Sequence, residues 1–134
     1  MTALRVALAA IAASNLIIGA PAALDPRGFY DDFPLGAGWV AELPPYNQHL
    51  TTDVGAFYLG FGLLFAWAAW RPHRSLVVPL AFAWSLTSAI HLLFHVTHLD
   101  GFGVADAIAQ TISLTLVLAL PLAAVRWSPP TRSP

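Results

Sequence analysis

Four long apolar runs divide the chain, and its polar residues gather between them. None of the runs contains Arg, Asp or Glu, and they extend over residues 6–20, 54–70, 76–93 and 107–125. Each is close to the roughly 17–25 residues that a helix needs to cross the hydrocarbon core of a bilayer. A buried soluble helix of this length would normally carry charges on one face. The pattern therefore predicts an all-α fold, a four-helix transmembrane bundle.

The runs and their flanking polar residues predict one integral membrane domain over residues 1–134. The first helix is expected at about 4–20, followed by a long outer loop rich in Pro, Gly and aromatic residues. The full set of expected segments is helix 4–20, outer loop 21–47, helices 48–70, 76–98 and 104–126, and tail 127–134.

The amino-acid composition supports a membrane protein and argues against several classes of function. The chain is 57% apolar and 10% charged, against roughly 45–50% and about 25% in soluble domains. Six basic residues, all Arg, nearly balance seven acidic ones, which argues against nucleic-acid binding. The absence of Cys excludes disulfides, Cys-ligated metals and thiol nucleophiles.

The arginines predict the orientation of the bundle. Five of the six would share one side of a four-helix topology, and only Arg27 would lie on the other; the five are Arg5, Arg71, Arg74, Arg126 and Arg132. The positive-inside rule then places both termini in the cytoplasm, in a multi-pass protein of the inner (plasma) membrane. An alternative stays open, because Arg5, an apolar stretch and the small residues of 19–23 also fit a cleaved signal peptide.

Polar side chains inside membrane helices are costly and are candidates for function. His91, His95 and His98 are spaced i, i+4 and i+7, so they share one face of the third helix. Other polar residues fall near the outer ends of the remaining helices: Asn15, His49, Asp53, Asp106 and Gln110. We expect these groups to meet within roughly 10 Å of the outer surface, at 1.5 Å of rise per residue.

Imidazole and carboxylate ligands favour a transition metal such as Zn, Cu or Fe. The expected ligands are His49, Asp53, His91, His95 and His98. Residues expected to orient them are Asp100, Asp106, Gln110 and Asn15. Haem b, held by His from two helices, is a weaker alternative. Such a site suggests a redox function, although the sequence leaves open whether the protein is an enzyme.

The competing hypothesis is a non-enzymatic membrane component. The same His and Asp residues would then form a structural network or a proton relay in an accessory subunit or small carrier. Because four short helices leave little room for alternating access, an accessory role would need a partner protein or a homo-oligomer in the bilayer.

Three segments carry a family resemblance. They are Phe29-Tyr-Asp-Asp-Phe-Pro34, the stretch 46–55 that begins Tyr-Asn-Gln-His, and His91-Leu-Leu-Phe-His-Val-Thr-His98. With them the chain resembles a group of small uncharacterised bacterial four-helix integral membrane proteins, over most of residues 25–100. In size and topology it is also loosely similar to DoxX-like proteins, without a DoxX motif. The resemblance implies the architecture and no activity.

Overall fold

The computed structural model describes residues 2–43, 45–128 and 130 and contains five helices. They are α1 (Thr2–Leu24), α2 (Pro26–Asp32), α3 (Gln48–Trp70), α4 (Arg74–Val96) and α5 (Val104–Trp127). Four of them, all except α2, are long and apolar enough to cross a membrane by length and composition. The described residues include no strand. The prediction of an all-helical chain with four apolar spans is therefore confirmed.

The first connection differs from the expected loop. Helix α1 continues past Pro21 to Leu24, which membrane helices tolerate because neighbouring groups satisfy the freed backbone. Helix α2 follows at once, because the Asp25 carboxylate accepts a hydrogen bond from the Gly28 N–H at 3.1 Å and Pro26 fits the first helical turn. Of the expected tail, residues 129 and 131–134, with Arg132, lie outside the described residues.

The four long helices run alternately up and down. An Arg5 guanidinium nitrogen donates to the Trp70 carbonyl oxygen at 3.5 Å, and Arg74 donates to the Val125 carbonyl at 3.4 Å. The start of α1, the end of α3, the start of α4 and the end of α5 therefore lie together. We call this end, with Arg5, Arg71, Arg74 and Arg126, the arginine end. The opposite end is the cap end, and the segment 25–46 that covers it is the cap.

Helices α1 and α3 form the closest pair in the bundle, and glycine is the reason. A Cβ on Gly55 would lie 2.7 Å from the Ala22 carbonyl carbon and would also clash with the Ala23 backbone. A Cβ on Gly19 would lie 2.8 Å from the Leu59 nitrogen. Small residues at such positions let membrane helices approach until their backbones touch.

The apolar core occupies the half of the bundle nearest the arginine end. Its buried members come from the first half of α1, the second half of α3, the first half of α4 and the end of α5: Leu4, Leu8, Ile11, Ala12, Phe65, Ala68, Val77, Leu80, Trp84 and Ala124. Trp84, in the middle of α4, is the member nearest the cap end. The tightly packed core therefore ends at about mid-height, below the cap.

Large apolar side chains cover the outside of the helices. Leu63, Phe82 and Ile112 are each more than half exposed, as suits contact with lipid. At the arginine end, Trp67, Trp70 and Trp127 are exposed, which is the position that Trp favours at a membrane–water interface. The surface is therefore compatible with a lipid bilayer around all four long helices.

Candidate ligand-binding cavity

A cavity of about 550 Å³ lies in the cap half of the bundle, with walls from the cap and all four long helices. Ligand pockets in proteins typically enclose roughly 300–1,000 Å³ and have mainly apolar walls with a few polar groups. Most of this cavity wall is apolar, including Ile18, Val54, Leu114 and Val117. The cavity therefore has the size and character of a small-molecule site.

The cavity lies between α3 and α4, which make little contact with each other. They are joined by a short turn at the arginine end and pack on each other far less than α1 packs on α3. Trp84 fills the space between them at mid-height, with its ring centroid 4.9 Å from that of Phe61 and 5.1 Å, edge-on, from that of Tyr58. Trp84 and Tyr58 thus close the bottom of the cavity.

The cap closes the top. The Phe29 and Phe33 rings lie 4.7 Å apart and both face the cavity. The chain then turns through Leu35, Gly36 and Gly38, which all have positive φ, and the Trp39 N–H donates to the Phe33 carbonyl at 2.7 Å. Two glycines at these positions relieve the strain that side chains meet in the left-handed region.

A side-chain hydrogen bond fastens the cap to α5. The Trp39 indole N–H donates to an Asp106 carboxylate oxygen at 3.1 Å, across 67 positions of sequence. Asp106 was expected to orient a metal-ligating imidazole, and it bonds Trp39 instead. It therefore holds the cap over the cavity, a role that spacing within α5 could not indicate.

The outer face of the cap carries a separate ionic contact. Arg27 forms an ion pair with Asp31 at 2.7 Å, and its guanidinium lies 5.1 Å from the centroid of the Tyr46 ring. The hydrogen bond from Arg27 to Asp31, together with the carboxylate charge, raises the pKa of Arg27. Both side chains are exposed, so this pair adds little to stability.

Several side chains bring polar atoms to the cavity wall, among them His91, His95, Gln110 and Trp84. The His91 and His95 rings meet edge to face with centroids 4.6 Å apart, and Gln110 and Trp84 are only 2% and 3% exposed. Among the described residues, no hydrogen bond of ordinary geometry is found for Trp84 Nε1, His95 Nδ1 or either amide atom of Gln110, although the His95 and Gln110 side chains lie within hydrogen-bonding reach of each other. Because unpartnered buried polar groups are costly, these atoms are available to a bound molecule.

The expected metal ligands do not converge in one place. His49 pairs with Asp53 at 3.3 Å, with His49 87% exposed, and neither residue lines the cavity. Within residues 2–43, 45–128 and 130, no three His, Cys, Asp or Glu side chains are placed to hold one ion. At 100° per residue, His49 and Asp53 are turned by roughly 100–150° from Val54, which does face the cavity. They therefore form one pair, and His91 and His95 another.

The remaining predicted residues have other surroundings. A ring nitrogen of His98 lies 2.8 Å from the Phe94 carbonyl oxygen, and the His98 ring stacks on the Phe94 ring with centroids 4.1 Å apart. His98 therefore packs against the last turn of α4. Asp100 is exposed in the turn that follows. Asn15 donates to Ile11 within its own helix at 2.9 Å, not to another helix. Because α1 runs on to Leu24, Asn15 lies about 14 Å below the helix end, deeper than expected.

Two site residues carried different amounts of signal in the sequence. Trp84 precedes His91 by seven residues, so helical periodicity places both on one face of α4. Trp39 lies in a Gly-rich segment that has no periodicity, and only the folded cap shows its partner.

No family model, curated protein or solved structure matches this chain. The functional conclusion therefore rests on the cavity and its side chains.

Proposed function

We propose that this multi-pass membrane protein binds a lipophilic small molecule in the cavity beneath the cap. The observation that carries the proposal is an apolar cavity of about 550 Å³ whose wall includes buried polar atoms without partners. Apolar walls supply affinity for a lipophile, and a few polar atoms fix its orientation. His91, His95 and Gln110 are the proposed polar contacts.

The ligand would enter from the bilayer. Leu50 and Val54 of α3 and Phe94 of α4 line the cavity, and they are 60%, 39% and 46% exposed. These residues come from α3 and α4, which pack little on each other, so the gap between the two helices is the proposed entrance. A lipophile dissolved in the membrane reaches such a gap without crossing water.

The cap end is proposed to face the outside of the cell. Four arginines lie at the opposite end and only Arg27 lies in the cap, and a surplus of arginine marks cytoplasmic loops. This orientation places both chain termini in the cytoplasm. The cavity then opens into the outer leaflet of the plasma membrane.

Photolabelling tests the binding function. The protein in lipid nanodiscs is irradiated with trifluoromethylphenyl diazirine, a small apolar reagent, with and without excess of its unreactive analogue. We expect peptides from residues 50–58 and 110–117 to be labelled saturably, whereas lipid-facing positions are labelled in proportion to the reagent. Labelling that no competitor reduces at any peptide would contradict the proposal.

Two matched variants make the test specific. Ser14 lines the cavity, and its neighbour Ala13 is exposed on the outside of the same helix. Ser14→Phe places a ring in the cavity and should abolish saturable labelling, whereas Ala13→Phe should leave it intact. Equal saturable labelling of the two variants would mean that the reagent binds outside the cavity.

A second candidate is a transition ion held by His91 and His95. Their i, i+4 spacing and adjacent rings allow both imidazoles to bind one Zn, Cu or Fe ion, with its other positions taken by the bound molecule or water. Both residues lie on α4, so they cannot place one imidazole on each side of a haem b. Metal analysis should then show an ion that His95→Gln removes and His49→Gln retains. A metal content unaffected by His95→Gln would exclude this site.

A further inference from the structure

We propose that the ligand of the cavity is a neutral molecule with a flat ring and a carbonyl oxygen. This inference rests on the proposed binding function and assigns the chemical class of its ligand. Three features of the wall carry it: aromatic side chains above and below, hydrogen-bond donors without a partner, and a lining that, over the described part of the chain, includes no Asp, Glu or Arg.

Aromatic side chains line the cavity at both ends. Phe29, Phe33 and Trp39 come from the cap, and Tyr58 and Trp84 lie at the bottom. Aromatic rings attract one another in offset or edge-to-face arrangements, beyond the area that they bury. An alkyl chain against such walls gains only the free energy of burying apolar area. The aromatic walls therefore favour a ligand with a ring.

Two of the unpartnered polar atoms require an acceptor. Trp84 Nε1 can only donate a hydrogen bond, and the Gln110 amide nitrogen is also a donor. Among the described residues neither atom has a partner. Gln110 Oε1 and His95 Nδ1 are unpartnered as well, but the two side chains lie within hydrogen-bonding reach, so an imidazole N–H can serve the amide oxygen. A carbonyl oxygen accepts a hydrogen bond without bringing a further donor into the cavity, and so satisfies this side of the wall.

The wall also indicates a ligand without charge. None of the described Asp, Glu or Arg residues lines the cavity, and Asp106, the nearest in sequence to Gln110, is bonded to Trp39. His91 and His95 also line the cavity; with these imidazoles neutral, a buried ion has no partner of opposite charge and is strongly disfavoured. A carboxylate or phosphate group therefore suits this cavity poorly.

Four probes separate these features. Acetylnaphthalene has the ring and the carbonyl, ethylnaphthalene has the ring alone, naphthoate has a charge, and a twelve-carbon methyl ketone lacks the ring. Binding is measured as the rise in the unfolding midpoint of the detergent-purified protein, followed by circular dichroism, because at a fixed ligand concentration the stabilisation of the folded state grows with the logarithm of the affinity. The chain has no Cys or Lys, so covalent reaction of these probes with side chains is minimal.

We expect acetylnaphthalene to bind most tightly and ethylnaphthalene roughly tenfold more weakly, as the loss of one hydrogen bond in an apolar site implies. Naphthoate and the alkyl ketone should bind more weakly still. Gln110→Leu should reduce the preference for acetylnaphthalene over ethylnaphthalene. Ser14→Phe should remove all the shifts, and Ala13→Phe none.

The outcomes distinguish the two proposals. If ethylnaphthalene, naphthoate or the alkyl ketone stabilises the protein as well as acetylnaphthalene does, and Ser14→Phe abolishes the effect, the assigned class is wrong and the binding function stands. If no probe gives a shift that depends on Ser14, both the assigned class and the binding function are contradicted.

Discussion

At the scale of single residues, Gln110 shows the conflict between stability and binding most clearly. Its side chain is 2% exposed and neither amide atom has a partner among the described residues. A group of this kind costs roughly 1–3 kcal/mol in the folded protein. Such a cost is explained if the amide serves a ligand, since proteins commonly trade stability for function at their sites.

The first prediction follows from this cost. Gln110→Leu keeps the approximate volume and removes the unpartnered amide, so the ligand-free protein should gain about 1 kcal/mol or more of unfolding free energy. The unfolding midpoint in detergent measures the gain. The chain's other glutamine, Gln48, is exposed, and Gln48→Leu should leave the midpoint nearly unchanged. A lower midpoint for Gln110→Leu would show that the amide is satisfied in the folded protein.

At the scale of elements, glycine at one helix contact sets how closely α1 and α3 approach. A Cβ on Gly55 meets the backbone of α1, whereas a Cβ on Gly60, five residues along the same helix, meets nothing within 4 Å. The two positions therefore separate the effect of helix packing from the effect of helix propensity.

The second prediction compares alanine at these two positions. Gly55→Ala should destabilise the bundle by about 1–3 kcal/mol, the usual cost of overpacking. Gly60→Ala should be neutral or stabilising by up to about 1 kcal/mol, because alanine favours a helix more than glycine does. Thermal unfolding followed by circular dichroism measures both. If the two variants behave alike, the close contact of α1 with α3 is wrong.

The third prediction concerns the attachment of the cap. Trp39→Phe keeps an aromatic ring and removes the hydrogen bond to Asp106, so amide hydrogen exchange in residues 29–43 should become faster. Asp31→Asn removes the exposed ion pair with Arg27, which contributes little, and should leave the exchange rates nearly unchanged. Equal rates in Trp39→Phe and the unmodified protein would mean that other contacts hold the cap.

The long helices could be predicted from the sequence, whereas the cavity could not. Apolar runs of membrane length have few alternatives, so the all-helical fold and its four apolar spans followed from hydropathy. Helix α2 was missed because the Asp25–Pro26 cap signal is short and lies inside a stretch dominated by Pro and Gly. The separation of His49 and Asp53 from His91 and His95 depends on how α3 is rotated against α4. Spacing within one helix carries no information about that rotation.

At the scale of the whole molecule, the two ends of the bundle differ in their arginine content and in their packing. The core fills the arginine half, and the cavity fills the cap half. The tightly packed arginine half therefore supports a cap half that contains the cavity. It also makes α1 indispensable, since Leu4 and Leu8 are fully buried members of the core.

The fourth prediction concerns orientation and the fate of α1. Reporter fusions in the turn 71–74 should report the cytoplasm, and fusions at Gly36 in the cap should report the outside. Mass analysis of the purified chain should show that residues 2–24 are retained, because their removal would expose the core. Detection of a mature chain that begins near residue 22 would establish the signal-peptide alternative.

Native mass spectrometry shows whether a small molecule occupies the cavity. The protein is purified from its membrane in mild detergent, released from detergent in the spectrometer, and weighed alone and with its non-covalent adducts. We expect one apolar small molecule per chain in the unmodified protein and in Ala13→Phe, and none in Ser14→Phe. The same adducts in all three proteins, or a bare chain in all three after incubation with each of acetylnaphthalene, ethylnaphthalene and the alkyl ketone, would contradict a ligand-binding cavity beneath the cap.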